Sequence, residues 1–163
     1  MTEHVDKSLE LSGTDMQQLV DKVMPYLRDF LDSLSDQSAW DFDDAAAVAR
    51  SVMEPIPISG ADSSIVLERL FKDILSRGVN SAGPGYLAYV PGGGVPHAAV
   101  ADLIASMVNR FVGLWNGAPG LAQLEVAVIR WFCDIVEYPA TAGGFFTSGG
   151  SLSIWSALVT AAR

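Results

Sequence analysis

The chain has 163 residues, half of them hydrophobic, a net charge of −9 and an isoelectric point near 4.4. That length and apolar content suit one domain able to bury a core, and the acidic balance argues against nucleic acid, which wants a basic face. A single cysteine, Cys133, excludes an internal disulfide and a cysteine-rich zinc site.

The charge is uneven. Residues 1–81 carry 15 acidic and 7 basic side chains, a net of −8, whereas residues 82–163 carry 4 and 3, a net of −1. The second half is apolar, glycine-rich and nearly uncharged, a composition that belongs in a large core or an interface. The polar N-terminus has no apolar signal region, and no run of about 18 uncharged apolar residues suggests a membrane span. The expectation is a cytoplasmic protein without membrane or nucleic-acid partners.

Residues 1–13 are polar and without period. From Asp15, a candidate N-cap, Met16, Leu19, Val20, Val23, Leu27, Phe30, Leu31 and Leu34 recur at helical spacing, with Pro25 predicted to kink the helix. Residues 41–50 suit a short helix. "EPIPISG" (54–60) reads as an extended connection. A helix capped by Asp62, Ser63 or Ser64 carries Ile65, Leu67, Leu70, Phe71, Ile74 and Leu75, with Gly78 as its stop. "NSAGPGYLAYVPGGG" is irregular. A third helix is predicted from Pro96 to Phe111, then the loop "GLWNGAPG", then a fourth from Pro119, favourable in a first turn, to Glu137 before Pro139. Residues 144–147 read as one short strand and 151–163 as a helix. The chain is thus mostly α, and a lone strand needs a sheet supplied by other sequence.

Thr147-Ser148-Gly149-Gly150-Ser151 joins that strand to that helix. Taken alone it fits two readings. Ser151 caps the helix and the glycines only turn the chain, or strand, glycine turn and free helix amides form a phosphate cradle. There is no Gly-x4-Gly-Lys-Ser/Thr, so a nucleotide P-loop is not supported. His97 suits a helical first turn and His4 a frayed end, so no metal site is predicted. Cys133, Trp131 and Trp155 read as packing residues, and Glu125 as a carboxylate near a helix start with no assigned chemistry.

The block from Tyr86 to Ser151 resembles the N-terminal part of the group II pyridoxal-phosphate-dependent decarboxylases, which include aromatic-amino-acid, glutamate and histidine decarboxylases. The resemblance is carried in order by Ala88-Tyr89-Val90-Pro91, "ADLIASMVN", Trp115, "APGLAQLE" with Pro119, Leu124 and Glu125 in register, Trp131, and "TSGGS". It implies the N-terminal segment and first strand-turn-helix of an α/β fold-type-I enzyme. Residues 1–80 would be a helical dimerisation segment and 81–163 the incomplete start of the coenzyme-binding large domain. Ser148, Gly149, Gly150 and Ser151 would hold the phosphate of pyridoxal 5'-phosphate. Tyr89, Pro91, Gly92, Phe111 and Gly113 would line the pocket for a small-molecule amino-acid substrate, with Phe111–Gly113 reaching the pocket of the partner subunit of a homodimer.

The sequence departs from that pattern at Leu152, where glutamate is common, at Ser153-Ile154, at Val90, and at Gly113, where members acting on aromatic amino acids carry a bulky ring. These changes spare the phosphate turn and weigh against an aromatic substrate. In the family a covalent lysine, a stacking histidine and a ring-pairing aspartate lie downstream of the turn. Lys7, Lys22 and Lys72 all lie upstream, so the three are expected beyond Arg163, from the same polypeptide or a second chain. By itself the chain is expected to be inactive. The alternatives are a non-catalytic dimerisation or partner-binding module, and a related lyase acting on a phosphorylated amino alcohol. A lysine-bearing second polypeptide would discriminate enzyme from module.

Overall fold

The computed structural model describes residues 10–90 and 92–162. It is mostly helical with one small antiparallel ladder, and it divides into two compact units, 1–95 and 96–163.

In the first unit, helix α1 spans Gly13–Asp32. Its N-cap is Ser12 rather than Asp15. Asp15 stands three residues further on and completes a capping box: the Ser12 hydroxyl accepts from the Asp15 amide, and the Asp15 carboxylate accepts from Ser12. Those bonds hold the Asp15 carboxyl below its ordinary range. Pro25 lies inside α1, which continues past it to Asp32. Met16, Leu19, Val20 and Val23 are half-buried. Tyr26 stacks on Phe71 at 4.8 Å between centroids, and the Lys22 ammonium donates to Ser63 at 2.9 Å.

Strand β1 (Trp40–Asp41) pairs with β2 (Gly78–Val79), Trp40 opposite Val79 and Asp41 opposite Gly78. Neither strand is visible in the periodicity, because a two-residue strand has no period to show. Gly78 is a ladder residue rather than a simple stop, and its φ of +109° is one that side chains rarely adopt. Flanking the ladder, Arg77 pairs with Asp41 and Asn80 donates to Gln37 at 2.8 Å. Helix α2 spans Ala45–Ser51, and α3 spans Ser63–Arg69 with Asp62 as its cap. The chain then widens into a π-helical turn, Leu70–Ile74. The Arg69 guanidinium meets Glu54 at 3.0 Å and the Ser51 carbonyl at 2.6 Å, tying α3 to the extended 54–60 connection.

In the second unit, α4 spans Pro96–Val108, three residues short of the predicted end, and Asn109 leaves it at φ +43°. The loop that follows contains a 3-10 turn, Trp115–Gly117. Helix α5 spans Pro119–Ile135 with proline in its first turn, and α6 spans Gly150–Ala161.

Residues 144–147 are not a strand. A strand exists only where a neighbour completes its ladder, and among the described residues none lies beside this segment. Its Phe146 amide instead donates to the Glu125 carboxylate at 3.1 Å.

The end of α5 forms a Schellman-type closure. The Tyr138 amide reaches the Cys133 carbonyl at 2.8 Å and the Glu137 amide reaches the Asp134 carbonyl at 3.2 Å. Glu137 is the residue driven into the left-handed region, at φ +59°. A side chain there costs about 1–2 kcal/mol relative to glycine, so Glu137→Gly is expected to stabilise the protein by about 1 kcal/mol in chemical denaturation; an unchanged or lower midpoint would contradict it.

Candidate functional site: the turn at residues 147–152

The turn is built from α5 outward. Arg130, half-buried on α5, bonds its own helix through Asp134 at 2.9 Å and gathers the chain that leaves it: the Pro139 carbonyl at 3.0 Å, Ala142 at 3.1 Å and Tyr138 at 3.3 Å. Four residues beyond Ala142, Glu125 takes the Phe146 amide. The Phe146 ring meets Phe132 edge-on at 6.4 Å. The Thr147 hydroxyl then donates to the Gly149 carbonyl at 3.0 Å, and that same carbonyl accepts the Ser153 amide, the first bond of α6.

Helix α6 begins one residue earlier than predicted. Gly149 is its N-cap, Gly150 opens it, and Ser151 is a first-turn residue rather than the cap. No side chain caps this end. The first-turn amides of Gly150, Ser151 and Leu152 have no partner within the helix by its geometry. Gly149 is extended, at φ 161°, so the glycines are not needed for a left-handed turn. What they provide is space: a Cβ at either Gly149 or Gly150 would meet nothing within 4 Å. The first turn has no acidic residue, and Ser148 and Ser151 are exposed. Amides at a helix start, hydroxyls beside them and no competing carboxylate make a donor set that fits a phosphate dianion.

The predicted pocket residues divide between the units. Tyr89 and Gly92 belong to the first. Tyr89 is exposed and held at φ +57°, a Cβ on Gly92 would meet nothing within 4 Å, and Pro91 lies outside the described residues. Phe111 and Gly113 belong to the second and are brought together: a Cβ on Gly113 would stand 2.6 Å from the Phe111 ring. Cys133 is buried as expected, whereas Trp131 and Trp155 are exposed rather than packed. Arg130 and the anchoring role of Glu125 escaped the sequence reading. A signal was present, since Arg130 is one of three basic residues after residue 81 and stands four before Asp134.

The family model for the pyridoxal-dependent decarboxylase conserved domain matches residues 51–163. The chain belongs to this family. Pyridoxal phosphate is the coenzyme of these decarboxylases, which are lyases of amino-acid metabolism. Among curated relatives, an aromatic-L-amino-acid decarboxylase of Bacillus atrophaeus is 29% identical over 157 residues, covering 96% of this chain and 33% of the relative. Two solved structures share the fold. One is the glutamate decarboxylase domain of a diaminobutyrate-pyruvate transaminase and L-2,4-diaminobutyrate decarboxylase from Vibrio parahaemolyticus, with TM-score 0.79, 18% identity, and coverage of 93% of this chain and 33% of that one. The other is the TDC of Oryza sativa with PLP and tryptamine, with TM-score 0.71, 19% identity, and coverage of 81% and 27%. The chain therefore spans about a third of the length of these decarboxylases.

The two glycines around Phe111 are expected to respond differently. At Gly113 an added Cβ meets the far end of the exposed Phe111 ring, but at Gly117 it would stand 2.7 Å from the Phe111 carbonyl oxygen. Gly117→Ala should therefore cost about 1–3 kcal/mol by overpacking, and Gly113→Ala less, in parallel urea titrations. Equal losses would contradict the difference in contacts.

Proposed function

We propose that this chain is the N-terminal portion of a fold-type-I amino-acid decarboxylase, and that its Ser148–Ser151 turn holds the phosphate of pyridoxal 5'-phosphate. The observation that carries the reading is the uncapped, acid-free start of α6, where Gly149 and Gly150 have open space beside them. Gly150 and Ser151 offer amides, and Ser151 adds its hydroxyl. Held there, the coenzyme would supply the electron-withdrawing ring that decarboxylation of an amino acid requires. The turn's part is to anchor the phosphate so that the ring is held in one orientation.

Tyr89, Pro91, Gly92, Phe111 and Gly113 are assigned to the amino-acid pocket. The covalent lysine, the stacking histidine and the ring-pairing aspartate are assigned to the remaining length typical of these enzymes. Lys22 and Lys72 are engaged elsewhere, with Ser63 and Glu68. Residues 1–80 are assigned to dimerisation, residues 81–163 to the start of the coenzyme-binding domain, and the enzyme to the cytoplasm. Among the described residues, no helix is long and apolar enough to cross a membrane.

Self-association is supported by the surface. Among the described residues, Ala118 and Cys133 are the buried hydrophobic side chains, while Phe111, Trp115, Trp131, Phe145 and Trp155 are each more than half exposed. Apolar surface on this scale drives association. Sedimentation at micromolar concentration is expected to show a dimer or larger species, and a clean monomer with cooperative unfolding would contradict it.

The phosphate assignment is tested at Ser151. In the full-length enzyme, Ser151→Ala is expected to weaken coenzyme binding by about 1.5–3 kcal/mol, the loss of a hydrogen bond to a charged group. Titration of the apoenzyme with pyridoxal phosphate reads this directly, and unchanged affinity would remove the turn from the phosphate site.

A further inference from the structure

We propose that Glu125 is a positioning residue for the phosphate-holding turn, acting from α5 through the backbone of Phe146. The inference rests on the assignment of that turn to the coenzyme phosphate and adds the residue that sets its place.

The segment between α5 and α6 has no ladder to register it, so its path is fixed by what it is bonded to. Arg130 secures its first part at the carbonyls of Tyr138, Pro139 and Ala142. The last part, next to the turn, is secured by Glu125: its Oε1 accepts the Phe146 amide at 3.1 Å across 21 residues of sequence. At this end the Phe146 ring meets Phe132 edge-on, and a Cβ built on Gly144 would stand 3.5 Å from Ile129. Glu125 is half-buried, Phe146 is 54% exposed, and water can take over the amide once the carboxylate is removed. The Phe146 amide is four residues from the first α6 residue. Thr147 is bonded onward to the Gly149 carbonyl that starts the helix. A shift at Phe146 therefore re-aims the amides of Gly150 and Ser151. Amide-to-anion bonds weaken steeply as they lengthen and bend, so the affinity lost is the part owed to phosphate and not to the ring.

That distinction gives the test. Full-length enzyme freed of coenzyme is titrated with pyridoxal phosphate and, separately, with pyridoxal, which lacks the phosphate. Glu125→Asp is one methylene short of the amide, Glu125→Ala has no acceptor, and Glu125→Gln retains an acceptor oxygen at the same reach. The Asp and Ala variants are expected to lose about tenfold in affinity for pyridoxal phosphate, about 1.4 kcal/mol, with pyridoxal affinity unchanged. The Gln variant is expected to stay within about twofold of the parent. If Ala does not fold, Asp carries the same comparison.

A parental ratio of the two affinities in Asp and Ala would overturn the inference. So would equal losses for both ligands, which mark general damage, or a Gln variant as weak as Ala, which marks a role for charge alone. Ser151→Ala, run alongside, separates the two levels. If it lowers the ratio while the Glu125 variants do not, positioning by Glu125 fails and the phosphate turn stands. If Ser151→Ala leaves the ratio unchanged, the phosphate turn fails and the inference fails with it.

Discussion

The guanidinium of Arg130 gathers the chain that leaves α5 in the carboxy-terminal unit. It reaches three backbone carbonyls in the chain leaving α5 and a carboxylate on its own helix. Such a group suits the task because its donors lie in a rigid planar fork and cannot be neutralised. A lysine would present one point charge and could not span the carbonyls of Tyr138, Pro139 and Ala142 together. An exposed ion pair such as Arg28–Asp29 contributes little, whereas Arg130 is more covered and gathers the carbonyls of Tyr138, Pro139 and Ala142, the Pro139 carbonyl also accepting the Ala142 amide.

Polar anchoring of this kind matters because apolar burial is so limited. The apolar stripes predicted on α1 and α3 are present, yet neither helix has a fully buried residue. In the amino-terminal unit, the Tyr26–Phe71 stack, the Arg69 contacts to Glu54 and Ser51, and the Asp41–Arg77 pair perform a similar local tethering. The near-absence of charge after residue 81 and the exposure of Trp131 and Trp155 have one physical reading. Apolar surface of that kind is suited to contact rather than to solvent.

At the turn, the glycines contribute by having no side chain, not by adopting unusual torsions. Gly149 is extended and Gly150 is helical, conformations open to any residue. Their value is close access to the backbone at a helix start. The left-handed positions in this unit fall instead to Asn109 and Glu137, which end α4 and α5.

The sequence by itself determined what depends on neighbours a few residues away. Helical periodicity placed α1, α3, α4, α5 and α6, Pro119 marked the start of α5, and the ordered motifs from Ala88 to Ser151 disclosed the family and its coenzyme. Helices are legible because their bonds close over four residues and their side chains repeat with them. Only the tertiary structure decided the rest. It paired Trp40–Asp41 with Gly78–Val79, denied residues 144–147 a ladder, moved the α6 cap from Ser151 to Gly149, and gave Glu125 and Arg130 their backbone partners. Each is a contact between segments distant in sequence, or depends on one, and no local pattern of residue types specifies which distant amide or carbonyl a side chain will meet.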